Sequence, residues 1–156
     1  MRKRIVAWVE DDPVEQTRVW VAMAALKEDI HLHMVPSGYE LLEMLRDGEP
    51  GACPEIAFMS LLTSEPGAVE LIRWMKSDLV LRRTPVIGYA PESRRDLFLP
   101  AYASGVNACM LCPSAHPNLE SVLLGSLRFW LGTARLPSGG APSEFAEPAH
   151  AAVAAG

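Results

Sequence analysis

The chain has 156 residues, of which 49% are hydrophobic and 21% are charged, so it is long enough to bury one sizeable core. Its 14 basic and 19 acidic side chains give a formal charge of −5, a balance that argues against a nucleic-acid binder. The longest apolar run, Val19 to Leu26, is too short to span a bilayer, and no signal-peptide core follows the basic start. Three cysteines are too few for a disulfide framework, so the composition predicts a protein of the reducing cytoplasm that is not bound to a membrane.

Short apolar runs alternate along the chain with longer amphipathic stretches. Each run has four or five residues, which is typical of strands buried on both faces, whereas the stretches have helical spacing. The predicted strands are Ile5–Val9, Leu32–Val35, Ile56–Met59, Val86–Tyr89 and Ala108–Leu111. The predicted helices are Pro13–Leu26, one that opens at Ser37, Gly67–Lys76, Arg94–Ser104 and Asn118–Leu131. Pro100 falls inside the fourth of these, which must therefore break there or start late.

This alternation predicts a parallel sheet covered by helices on both faces, with right-handed crossovers. The predicted fold class is therefore α/β, a doubly wound five-stranded parallel sheet with five helices. Ligands in such folds bind beyond the carboxyl ends of the strands. The residues at those ends are Glu10-Asp11-Asp12, Ser60, Ala90 and Cys112.

The composition changes near Thr133. Residues 134–156 are mostly Ala, Pro, Gly and Ser, with one Arg and two Glu. Such a segment cannot bury enough apolar surface to offset the entropy of ordering it. We therefore expect one domain over residues 1–133 and a disordered tail over 134–156.

Four segments resemble the receiver domain of two-component response regulators. Val9–Pro13 resembles the acidic motif after the first strand, and Pro54–Met59 resembles the strand that leads to the phosphoacceptor. Arg82–Ile87 resembles the start of the fourth strand, and Ala101–Ala108 with Cys112-Pro113 resembles the segment that leads to the family's Lys-Pro. The order is unbroken over about 130 residues, which makes the likeness more specific than any single motif. The Phe129-Trp130-Leu131 ending, with Leu136-Pro137, is similar to small stand-alone regulators that partner phytochrome kinases. The resemblance implies a flavodoxin-like receiver sandwich that takes part in a phosphorelay.

The chain departs from the receiver pattern at the positions that carry its chemistry. Ser60 stands where the family has its phosphoacceptor Asp. Ala90 replaces the Thr or Ser that hydrogen-bonds the phosphoryl group, and Cys112 replaces the Lys that pairs with phosphate. Cys109 occupies the position of the aromatic switch residue, and only the acid pair Glu10 and Asp11 is kept. Phosphotransfer needs a carboxylate nucleophile and a Mg²⁺ held by oxygen ligands. We therefore expect a pseudo-receiver that is not an enzyme, has lost or weakened Mg²⁺ binding and needs no other cofactor.

An alternative interpretation makes the protein a redox or metal sensor that uses Cys112 or the Glu10/Asp11 pair. Cys109 and Cys112 have C-x-x-C spacing, but residues three apart on a strand point to opposite faces. His31 and His33 share one face of a strand, which without a third ligand indicates a surface pair on an edge strand rather than a metal site. Glu10, Asp11 and Asp12 are also the residues expected at the start of a helix.

The last predicted helix is apolar over an unusually wide sector. Leu119, Leu123, Leu127, Phe129 and Trp130 fall on its core-facing arc, and Leu124 and Leu131 extend that arc beside Arg128. A helix that is apolar on two faces usually buries both, so a second packing partner is expected. Because receivers commonly dimerise through this part of their fold, the resemblance makes Leu124, Arg128 and Leu131 the predicted interface of a homodimer. The alternative is that the tail covers this face. We expect the protein to dock on a histidine kinase or another regulator, independently of phosphate.

Overall fold

The computed structural model describes residues 3–27, 29–47, 53–64, 66–111 and 118–137. In these residues parallel strands form one sheet in the order β2-β1-β3-β4-β5. The strands are β1 (Arg4–Val9), β2 (Ile30–Val35), β3 (Ile56–Ser60), β4 (Val86–Ala90) and β5 (Ala108–Leu111). The α-helices are α1 (Pro13–Ala25), α2 (Gly38–Asp47), α3 (Ala68–Ser77), α4 (Phe98–Ser104) and α5 (Leu119–Leu127). The predicted fold class is confirmed.

The core has two layers, one on each face of the sheet. The first layer packs α2, α3 and α4 against the sheet and includes Met59, Leu71 and Met75. The second layer packs α1 and α5 against the opposite face, where the Trp8 and Phe58 rings stack with centroids 4.6 Å apart. Both rings are fully buried at the centre of the sheet, on neighbouring strands in direct register.

The strands differ in burial according to their place in the sheet. All of β3 and β4 is buried, whereas the edge strands β2 and β5 are only partly buried, because each has a neighbour on one side alone. The prediction of strands buried on both faces was therefore wrong for these two. His31 and His33 lie side by side on edge strand β2, with ring centroids 4.5 Å apart, as predicted for an edge pair.

Helix α4 starts late, as Pro100 requires. The predicted helix began at Arg94, but residues Glu92–Leu97 form a 3₁₀ turn and α4 begins at Phe98. Pro100 then lies in the first turn of α4, where a backbone N–H has no partner within the helix to lose. Gly105 ends α4 with a φ of 104°, a left-handed conformation that suits glycine.

The last helix changes its winding after Leu127. The prediction extended it as a regular helix to Leu131, but Arg128–Thr133 forms a π-helical segment. The wider turns rotate the following side chains, so Phe129, predicted to face the core, is 52% exposed. Trp130 and Leu131 instead pack against the second core layer.

Leu136 also packs against the second core layer, so the packed unit extends past the predicted boundary at residue 133. Residues 138–156 lie outside the described part, and the disordered tail stays a prediction. No helix among the described residues is long and apolar enough to cross a bilayer.

Candidate functional site

The carboxyl ends of β1, β3 and β4 converge on a cavity of about 320 Å³. The three strands lie side by side at the centre of the sheet, which brings their ends together although they are distant in sequence. The cavity is lined by Glu10, Asp11, Asp12, Glu15, Ser60, Leu62, Tyr89, Ala90 and Pro91. Four of the residues selected from the sequence, Glu10, Asp11, Ser60 and Ala90, thus share one cavity. Cys112 lies outside the described residues.

Glu10 is the most buried acidic residue of the site, with 3% of its surface exposed. Its Oε1 accepts a hydrogen bond from the backbone N–H of Asp12 at 3.1 Å, and its Oε2 accepts one from the Tyr89 hydroxyl. Burial raises the pKa of Glu10, and the hydrogen bonds from Tyr89 and from Asp12 oppose that shift. Both carboxylate oxygens are therefore engaged by groups of the protein itself.

Tyr89 is a residue of the site that sequence reasoning missed. It lies on β4, 3% exposed, and the buried Trp8 indole donates a hydrogen bond to its hydroxyl over 2.9 Å. Trp8, Tyr89 and Glu10 thus form a buried chain of hydrogen bonds that runs from the second core layer to the cavity. The only signal in the sequence was a polar-tipped aromatic near the end of an otherwise apolar strand, and a buried tyrosine hydroxyl usually finds a partner.

Ser60 ends β3 and is 3% exposed. Its hydroxyl oxygen accepts a hydrogen bond from the backbone N–H of Leu62 at 3.2 Å, which stabilises the turn after the strand. In the part of the chain that the structure describes, no His or Lys lines the cavity, and the carboxylates that line it make no hydrogen bond with the Ser60 hydroxyl.

The remaining acidic residues have different local roles. Asp12 caps α1, where its side chain accepts a hydrogen bond from the Val14 backbone N–H at 2.8 Å. Asp11 is exposed and accepts a long hydrogen bond of 3.4 Å from the Ser64 hydroxyl. A divalent cation at the cavity would meet the exposed carboxylates of Asp11 and Asp12, each with one oxygen in a hydrogen bond. Both oxygens of the buried Glu10 are engaged. Mg²⁺ in proteins is commonly held by one or two carboxylates and several waters, so the weakened Mg²⁺ binding stays a prediction.

Cys109, at the predicted switch position, is half-buried on β5 and packs against the first core layer. Burial raises the pKa of its thiol, a shift that a hydrogen bond with Tyr102 opposes, so little thiolate forms at neutral pH. The Tyr102 hydroxyl accepts a hydrogen bond from the Cys109 backbone N–H at 2.9 Å. The aromatic ring beside this position thus comes from α4 rather than from β5.

The predicted interface residues occupy unequal positions. Arg128 is exposed, Leu124 is half-buried, and Leu131 is packed against the second core layer rather than free on a second face. The Leu131 carbonyl also accepts a hydrogen bond from Arg4, which is paired with Glu55 at 2.7 Å. Around the β5 edge of the sheet, the large exposed apolar side chains are instead Leu99, Tyr102, Leu111 and Phe129, which are 44–78% exposed.

The fold of the chain is that of response-regulator receiver domains. A phosphorylated cyanobacterial phytochrome response regulator, RcpA, matches with 25% identity and a TM-score of 0.76, over 86% of this chain and 99% of that chain. The Mn²⁺-bound response regulator Rcp1 matches with 20% identity and a TM-score of 0.74, over 86% and 99%. RPA3017, a response regulator in red light signalling of R. palustris, matches with 20% identity and a TM-score of 0.77, over 86% and 99%. No family model and no curated protein matches the chain.

Proposed function

We propose that this protein is a cytoplasmic response-regulator-like signalling protein that does not accept phosphate and acts by binding other proteins. The observation that carries the proposal is Ser60, at the end of β3 in the cavity where the receiver family has its phosphoacceptor Asp. The receiver fold supports a role in two-component signalling. The degenerate site supports a pseudo-receiver, which is neither an enzyme nor a phosphoryl carrier.

The lost contacts are large enough to abolish a phosphate-driven switch. A phosphoryl group in a receiver acts through bonds that it makes in one conformation only. Moving a population from 1:99 to 99:1 requires about 5.5 kcal/mol of differential binding. Two charge-assisted hydrogen bonds contribute about 1.5–3 kcal/mol each, so the changes at Ala90 and Cys112 remove most of that energy.

The hydrogen bonds of the site favour one fixed arrangement of the cavity. Tyr89 bonds Glu10 from inside the core, so the carboxylate that would hold a cation is held by the protein. A receiver with this site is suited to constant binding, in which the partner is sequestered or kept in one state. We propose that this fixed conformation, rather than a modified one, is the form that the partner recognises.

We propose that a second copy of the chain binds at the β5 edge, across α4, β5 and the segment after α5. Leu111 on β5 is 44% exposed, and Phe129 in the segment after α5 is 52% exposed, next to the exposed Arg128. In an isologous dimer the same patch of both copies is in contact, so exposed apolar side chains on these elements would be buried twice. Because Leu131 is packed inward, Leu111 and Phe129 replace it in the proposed interface.

For the histidine kinase we propose the outer face of α1, which borders the cavity. Val14 and Val21 are 61% and 62% exposed, and Thr17 lies between them on the same side of the helix. This stripe of small and β-branched side chains is suited to packing against a partner helix. It lies on the face of the sheet opposite to α4.

Acetyl phosphate with Mg²⁺ tests the proposal directly. The purified protein should gain no 80 Da adduct in intact mass spectrometry, and its light-scattering mass in size-exclusion chromatography should not change. The matched control is Ser60→Asp with Ala90→Thr and Cys112→Lys, which restores the receiver pattern and should gain the adduct. An adduct on the wild-type protein would refute the proposal, and Asp11 and Asp12 would then be the first residues to substitute.

A further inference from the structure

A second cavity, of about 750 Å³, lies between α2 and α3. None of the residues that line it also lines the cavity at the strand ends. Its walls are two regular helices that are fixed to the sheet by Leu41, Leu45, Leu71 and Met75, all of them buried. The volume is within the range of ligand-binding sites, roughly 300–1,000 Å³. We refer to this cavity as the α2–α3 groove.

Two aromatic rings lie next to each other in the α2–α3 groove. Tyr39 of α2 and Trp74 of α3 line it, with ring centroids 6.5 Å apart and planes tilted by 48°. Their side chains are 53% and 40% exposed, although both helices bury other apolar residues efficiently. A cation is attracted to an aromatic face within about 6 Å of the ring centroid, so one cation on the exposed side of this pair could lie within that distance of both rings.

Three carboxylates and one guanidinium, that of Arg46, line the groove, which therefore carries an excess of negative charge. Asp78 is one of the three, and its Oδ1 accepts hydrogen bonds from the Val80 and Leu81 backbone N–H groups. These bonds, with a smaller contribution from the nearby Arg46, hold the pKa of Asp78 below its ordinary value. Glu43 and Asp47 line the same groove, and no ion pair joins either of them to another described residue.

We propose that the α2–α3 groove binds an arginine side chain of a protein partner. A guanidinium group is planar, so it stacks on aromatic rings such as Trp74 and Tyr39 while its N–H donors reach carboxylates such as Glu43 and Asp47. An anionic ligand would be repelled by the same carboxylates. The proposal involves neither phosphate nor the β5 edge, so it stands apart from the function proposed above.

The test uses the full-length protein and the capped peptide Ac-Gly-Ala-Arg-Ala-Gly-NH₂ as a probe. The chain has four tryptophans, whose indole N–H signals can be followed by ¹H–¹⁵N NMR, and Trp74→Phe assigns the relevant one. A single side chain with a few such contacts should bind with a Kd of roughly 1–10 mM. We expect a saturable shift of the Trp74 signal and no shift of Trp20, an internal control that is 48% exposed on α1.

The matched peptide has citrulline, which is isosteric but uncharged, in place of arginine. It should bind at least about tenfold more weakly if charge is recognised. Glu43→Gln with Asp47→Asn is an exposed pair of changes that should leave the fold intact and weaken arginine binding by about fivefold or more. Tyr39→Ala should abolish the saturable shift.

Three outcomes would overturn the proposal. The first is a Trp74 signal that does not saturate at any soluble peptide concentration. The second is an equal affinity for the citrulline peptide, which would show that the groove does not recognise charge. The third is a Trp74 shift that follows protein concentration without any peptide, which would assign the groove to a second copy of the chain.

Discussion

The Tyr89 hydroxyl donates a hydrogen bond to the Glu10 carboxylate and accepts one from the Trp8 indole, over 2.9 Å. This arrangement joins the core to the cavity at the carboxyl ends of the strands. It satisfies two polar groups that would be costly to bury alone, an indole N–H and a carboxylate that is 3% exposed. It also leaves both oxygens of the Glu10 carboxylate with partners inside the protein.

Tyr89→Phe should lower the free energy of unfolding by about 1–3 kcal/mol, because it leaves the Trp8 donor and the Glu10 acceptor unpaired inside the protein. Urea denaturation followed by circular dichroism measures the change. Tyr39→Phe is the matched control, because the Tyr39 ring is 53% exposed and its hydroxyl makes no hydrogen bond to another described residue. Equal, small effects of the two substitutions would contradict the assigned role of Tyr89.

Glu10→Gln should change how stability depends on pH. Burial raises the pKa of Glu10 in the folded protein above its ordinary value of 4.5, so the folded state binds more protons than the unfolded state in the interval between the two values. The contribution of Glu10 is therefore complete below pH 4.5 and is lost as the pH rises through the folded pKa. Urea midpoints measured from pH 4 to pH 8 should fall less steeply in the variant than in the wild type.

The glutamine side chain preserves the packing of this site. Its oxygen can accept the Asp12 backbone N–H, and its amide can donate to Tyr89, whose hydroxyl then turns toward the Val9 carbonyl at 3.5 Å. Glu40→Gln, at an exposed position of α2, is the control that should leave the pH dependence unchanged. Parallel pH profiles for the wild type and Glu10→Gln would show that Glu10 does not titrate abnormally.

The sequence was sufficient to predict the sheet and the convergence of Glu10, Ser60 and Ala90. Alternating apolar runs specify parallel strands, and in a parallel sheet the ends of neighbouring strands meet whatever their distance along the chain. The role of Tyr89 could not be predicted in this way. A short apolar run indicates burial, but it does not say which polar atom of a distant strand a buried hydroxyl will contact.

The errors at the end of the chain have a similar origin. Phe129 and Leu131 were assigned to faces by the period of a regular α-helix, and the π-helical segment Arg128–Thr133 changed that period. The α2–α3 groove was not predicted either, because Tyr39 and Trp74 lie 35 positions apart and meet only when the two helices pack on the sheet. Periodicity within one element carries no information about contacts between two.

The proposed dimer surface predicts that Leu111→Glu with Phe129→Glu makes the protein monomeric. Both side chains are about half exposed, so the changes should leave the fold stable, while two carboxylates in an apolar contact should cost about 2 kcal/mol or more each. Size-exclusion chromatography with light scattering measures the molar mass of both proteins at matched concentrations.

Val14→Glu with Val21→Glu is the matched control, because it places the same charges on the exposed face of α1. It should leave the dimer intact, because α1 is proposed to contact a kinase. A dimer that survives the first pair and dissociates with the second would move the self-association surface from the β5 edge to α1, and a monomeric wild type would remove it altogether.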